Sequence, residues 1–243
     1  MFKYFDVNEM SMQNKERKQG ITAGISLVIM AIAAGFSYGY AHTTLVANSA
    51  ENTMQNLLAQ KSLFFAELGG WSIIFITDLI VAIALYFYFR STSKQIAGIT
   101  ALIRISYTLV LGVAILQLFK IIPALASNSS LLASVVASEI NSHFQLFEKL
   151  WSTGLILFGF HLIGLGYLSL KSKLTHRLLG YLLIFGGMSY SFIHGTRQLN
   201  LLDTNLINLL ENVLAIPMAL AEILLAFWLI YSGFRKSSPK LKS

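Results

Sequence analysis

A chain of 243 residues with 55% hydrophobic side chains, 12% charged ones and a mean hydropathy of +0.65 lacks the polar groups to cover a soluble surface, which excludes an ordinary water-soluble domain. A net charge of +7 would suit a nucleic-acid partner, but the basic residues fall between apolar runs and at both ends, as membrane orientation signals do, so no nucleic acid is expected. The absence of cysteine excludes thiol catalysis, thiolate metal sites and disulfides.

Residues 1–19 form a polar leader carrying Lys3, Lys15, Arg17 and Lys18. Its acids Asp6, Glu9 and Glu16, and the length of the run that follows, argue against a cleaved signal peptide, whose apolar core is ~7–15 residues. Six apolar runs follow, at about 21–46, 69–90, 97–123, 150–171, 177–196 and 211–234. Each is near the ~20 residues that cross a bilayer as a helix. Residues 20–234 therefore read as a single transmembrane domain, and 235–243 as a basic tail with Lys236, Lys240 and Lys242.

Two connections are longer than the rest. Residues 48–67 place Leu57, Leu58, Leu63 and Phe64 at helical spacing, and residues 127–149 do the same with Leu131, Val135, Ile140, Phe144 and Phe147. Both read as amphipathic segments capping the outer face of the bundle. With the N-terminus inside, thirteen Lys and Arg residues fall on the inner side, while only Lys61, Lys149 and Arg197 fall outside and Lys120 lies near the outer end of run three. The expected fold is an all-α integral membrane six-helix bundle with both termini cytoplasmic. Small residues at four-residue spacing (Gly20 with Gly24, Gly35 with Gly39), together with Gly164, Gly166, Gly180, Gly186 and Gly187, are expected to let helices pack closely.

Ionisable groups at membrane depth are costly, so their positions carry information. Counting from each run's basic flank at ~1.5 Å per residue puts Asp78 roughly 18 Å in, His161 and Arg104 roughly 15 Å and Glu222 roughly 20 Å. Four groups on four helices thus share a layer near the centre of a ~30 Å core, and Tyr190 adds a phenol to it. A buried charge needs a partner. Arg104 keeps its proton, so a carboxylate is expected beside it. Asp78 is the first choice because a short loop joins runs two and three. Glu222 is then left with His161 or protonated, the arrangement of a proton-exchanging group, and Pro217 just before it is expected to kink run six.

Other residues read as secondary. His194 and Arg197 read as interfacial, His42 lies near the outer end of run one, and His143 and His176 fall in connecting segments. No histidine pair has metal-ligand spacing, so no metal and no cofactor is expected. Trp71, Trp151 and Trp228 read as interface anchors or packing. The sequon Asn128-Ser129-Ser130 matters only in a secretory pathway.

The stretch Phe158-Gly159-Phe160-His161-Leu162-Ile163-Gly164-Leu165-Gly166-Tyr167-Leu168, then Lys171-Ser172 and Leu179-Gly180, resembles the centre of a bacterial multi-pass membrane family of the domain-of-unknown-function series, number 4386. The stretch Asp78-Leu79-Ile80-Val81-Ala82, Arg104 with Tyr107, and Ala221-Glu222-Ile223 ahead of Trp228-Leu229 are similar to its pattern too. Thr175-His176-Arg177 departs from it where a proline is expected before Gly180. The resemblance implies a protein of the bacterial inner (plasma) membrane and brings no activity with it. Three functions stay open. The favoured one is binding or passing a small molecule or ion, proton-coupled through Glu222 and His161, in a bundle small enough to expect a homo-oligomer. The second is a membrane-embedded enzyme acting on a lipid or isoprenoid by acid–base chemistry, and the third an accessory subunit whose polar core is structural. The bilayer is the one partner the composition demands.

Overall fold

The computed structural model describes residues 7–126 and 133–234. The first six residues of the leader, Leu131, the sequon and the basic tail lie outside the described residues. The described chain runs as α1 (Val7–Phe36), a π-helical turn (Ser37–His42), α2 (Thr43–Leu45), α3 (Ala50–Ala59), α4 (Lys61–Phe89), α5 (Lys94–Phe119), α6 (Ile121–Ala126), α7 (Ala133–Lys171), α8 (Arg177–Gln198) and α9 (Thr204–Phe234). Among the described residues six helical stretches are long and apolar enough to cross a membrane, which is the pattern of a multi-pass membrane protein. They outrun the apolar runs because good helix formers such as Lys61, Leu63 and Glu67 continue the helix past the lipid-facing part.

The spans pack in chain order. α1 lies on α4, α4 on α5, α5 on α7, α7 on α8 and α8 on α9, and α9 returns to α1, so the six spans close a ring. The short connections at residues 90–93, 172–176 and 199–203 make the spans they join antiparallel neighbours. Ser93 caps α5 by accepting from the Ile96 amide at 3.4 Å. Asn200 ends α8 with φ 51°, a left-handed conformation that asparagine tolerates. In the α7–α8 connection the Leu174 carbonyl accepts from Trp228 Nε1 at 3.0 Å and from the Tyr88 hydroxyl at 3.3 Å.

The outward faces carry large apolar side chains such as Ile32, Leu102, Leu109, Ile216 and Phe227, all exposed, as a lipid-facing surface requires. The inward faces hold the core. On α7 the buried stripe begins with Ala137, Ile140, Phe144 and Phe147, so the second amphipathic segment is not a separate cap. It is the first part of a 39-residue helix, which at ~1.5 Å per residue is about 58 Å long and overshoots the bilayer core. Val135 faces outward, off that stripe. The first amphipathic segment is split between α3, which packs on α7, and the first turns of α4.

Glycines separate into two groups. A Cβ on Gly187 would stand 2.5 Å from the Gly159 carbonyl oxygen, and one on Gly166 2.6 Å from that of Gly180, so α7 and α8 meet backbone to backbone. Gly35 and Gly39 face open space and hold no helix contact. Trp71 is likewise no interface anchor, because it is buried between Phe147 and Trp151 with ring centroids 4.9 and 5.1 Å away. Pro217 sits inside α9, which continues through it as one helix.

Candidate functional site

Helical periodicity puts the polar residues of α4 and α5 on their inward faces. On α5, Thr100, Arg104, Thr108, Leu111, Ile115 and Leu118 recur at intervals of three or four and are buried. On α4, Leu68, Trp71, Ile74, Asp78, Val81 and Leu85 do the same. The two stripes face each other across a four-residue connection. Arg104 Nη2 donates to Asp78 Oδ1, and both side chains are essentially inaccessible. The other Asp78 oxygen, Oδ2, accepts from Thr108 Oγ1 at 2.5 Å.

Arg104 is fixed on three further sides. Its Nη1 donates to His161 Nε2 at 3.0 Å, its Nη2 also points at the Met30 sulfur at 3.6 Å, and its guanidinium lies over the Phe158 ring at 5.3 Å. His161 Nδ1 donates in turn to the Thr100 carbonyl at 2.9 Å. A ring that accepts at Nε2 and donates at Nδ1 is the neutral Nδ1–H tautomer. The network thus joins α1, α4, α5 and α7. Arg104 Nε is its one guanidinium nitrogen without a hydrogen-bond partner.

Glu222 stands apart. The pairing with His161 that the shared depth predicts does not occur, because both ring nitrogens of His161 are already taken by Arg104 and Thr100. Glu222 is half-buried, its Oε2 is inaccessible, and it has no hydrogen bond or ion pair among the described residues. The two phenols collect around one ring: Tyr107 and Tyr190 lie 4.9 and 5.3 Å from the Phe158 centroid. A small cavity of about 10 Å³ touches His161, Thr100, Leu165 and Tyr86, room for about one water.

A second polar cluster lies at the end of the bundle away from the described chain termini. His42, set at the end of the π-helical turn, is buried. Its Nδ1 is 2.8 Å from Glu67 Oε1 and its Nε2 3.0 Å from Glu148 Oε1. Trp71 Nε1 donates to the same Glu67 oxygen at 3.3 Å. Glu67 is fully buried, while the Glu148 side chain is 47% exposed. One sequence signal could have located Glu67: it lies eleven residues before Asp78, three helical turns, and so on the same inward stripe. Nothing local predicts the π turn that swings His42 inward.

At the same end His194 is also buried, with Nδ1 2.9 Å from Ser152 Oγ, and Arg197 pairs with Glu211 at 2.5 Å to tie α8 to α9. His143 lies within α7, and His176 caps α8 by accepting from the Leu178 amide at 3.2 Å. Among the described residues no three His, Asp or Glu side chains are grouped to hold a metal ion.

A family model described as Domain of unknown function (DUF4386) matches residues 22–233, and the chain belongs to that family. It is 30% identical over 183 residues to an uncharacterized protein of Archaeoglobus fulgidus, across 74% of this chain and 91% of that one. No solved structure matches it.

Proposed function

We propose that this member of the family works in the bacterial inner membrane, with both termini cytoplasmic, binding or passing a small ion or molecule while Glu222 exchanges a proton. The excess of Lys and Arg on one set of connections supports the orientation. The observation that carries the rest is the contrast within the central layer. Asp78, Arg104 and His161 hold one another in hydrogen bonds, as a structural core would, whereas Glu222 has no such bond. A carboxyl group kept at membrane depth without a structural partner is retained for what it binds.

The room beside the network is that of about one water, which favours a proton or a small ion over a larger solute. The same tight packing speaks against the lipid-modifying enzyme, whose substrate needs space beside its acid and base.

Infrared difference spectroscopy of the purified protein across a pH series tests the proposal. A carboxylic C=O band that responds to pH should vanish in Glu222→Gln and persist in Glu211→Gln, which alters a carboxylate outside the central layer. A wild-type response retained in Glu222→Gln would place the exchanging group elsewhere and defeat the reading.

A further inference from the structure

The end of the bundle that carries the described chain termini holds a cleft of about 530 Å³, bounded by α1, the last turn of α4 and the start of α5. That volume lies within the ~300–1,000 Å³ range of small-molecule sites. Among the described residues, Lys15, Arg90 and Lys94 line it, together with Ser91 and a single carboxylate, Glu16. None of the three cations has an ion-pair partner among the described residues. Arg90 rests over the Phe87 ring at 4.9 Å, which leaves its planar N–H groups free to donate.

Basic residues that merely orient a membrane protein have no reason to converge. Others at this end are already engaged: Arg17 Nε donates to the Gly233 carbonyl at 3.0 Å, and Lys171 sits over the Tyr167 ring at 4.7 Å. Lys15, Arg90 and Lys94 come instead from two separate stretches of sequence and share one cavity. Lys94 is also the first residue of the 26-residue helix α5, whose N-terminal dipole adds to the positive field. The cleft wall is aromatic, from Tyr86 and the exposed Phe87, so it offers a charged floor beside an apolar flank.

We propose that this cleft is a binding site for a phosphate group, held by Arg90 in a forked contact with Lys15 and Lys94 as point charges. The apolar flank favours an anionic phospholipid headgroup as its source, with the acyl chains against the outward faces of α4 and α5. Tyr86 also lines the small cavity beside His161, so the cleft shares a wall with the central network.

Native mass spectrometry of the full chain, released from micelles containing phosphatidylglycerol and phosphatidylcholine, provides the test. The expected result is preferential retention of one phosphatidylglycerol, weakened at least about tenfold by Arg90→Gln with Lys94→Gln, as expected for losing two charge-assisted contacts. Lys173→Gln with Arg177→Gln makes the same charge change in another connection at the same end and should leave retention unchanged. A parallel titration with inorganic phosphate, read by thermal shift, identifies the source. Saturable binding of phosphate that the Arg90/Lys94 pair abolishes would keep the site and assign it to a soluble anion. Equal losses in both double variants, or saturable binding of neither ligand, would overturn the proposal. Melting curves of each variant without ligand establish that any loss is not unfolding.

Discussion

At the centre of the bundle a buried arginine joins an acid and a histidine, and at the far end a buried histidine lies between two acids. Arg104 meets Asp78, His161, Met30 and Phe158, and all of its polar partners are buried with it. His42 meets Glu67, which is buried, and Glu148, whose side chain is 47% exposed. The central ion pair and His161 are almost entirely enclosed by protein, so these groups depend chiefly on one another. The far cluster has one wet flank, where water substitutes for a lost partner. Polar networks of the same chemistry should therefore differ in how far a single substitution propagates.

The largest effect is expected at Arg104. Arg104→Met leaves Asp78 as a buried uncompensated carboxylate, and removing one partner of such a pair costs about 3–5 kcal/mol. Asp78→Asn should be comparably severe. The double variant, which removes both charges, should unfold later than Arg104→Met in detergent melts. A double variant no more stable than the single one would mean that the pair is not the source of the loss.

An asymmetry is expected in the far cluster. Glu67→Gln weakens contacts with both His42 and Trp71 in a dry site and should cost about 1.5–3 kcal/mol, the scale of hydrogen bonds to charged groups. Glu148→Gln, at the wet flank, should cost less than ~1 kcal/mol. Equal losses in the two melts would show that the exposed flank gives no relief.

Legibility in the sequence followed the same division. The six spans and the Asp78–Arg104 pair could be read because apolar runs mark the helices and a short loop makes the runs of Asp78 and Arg104 neighbours. Depth carries no information about rotation. Counting therefore could not show that His161 turns both nitrogens to Arg104 and Thr100, leaving Glu222 without it. The far cluster was hidden for a different reason. The π-helical turn Ser37–His42 breaks the 3.6-residue phase of α1, and Glu148 belongs to a helix continuous with the span, not to a loose cap. The glycines teach a similar lesson: spacing marks Gly35 as it marks Gly20, but only the fold gives Gly20 a neighbour, the Tyr88 ring.

A backbone comparison gives a middle-sized effect. Gly187→Ala drives a methyl group against the Gly159 carbonyl where α7 and α8 touch, and should cost about 1–3 kcal/mol, the scale of overpacking. Gly35→Ala meets nothing within 4 Å and should be neutral or slightly stabilising, since alanine is the better helix former. Paired thermal melts that showed equal losses would mean that the α7–α8 approach is looser than its geometry.

The smallest change in stability is expected where the functional claim is strongest. Glu222→Gln replaces an acid that makes no hydrogen bond among the described residues, so little structure rests on it. Its melt should lie within ~1 kcal/mol of wild type, as for a substitution away from any bonded network. Arg104→Met should lose several times as much. A polar layer that is structural throughout predicts instead that Glu222→Gln falls beside Arg104→Met, because every member would then hold helices together. The rank of Glu222 among these variants, read in one detergent by one denaturation series, separates a site from a scaffold before any ligand is known.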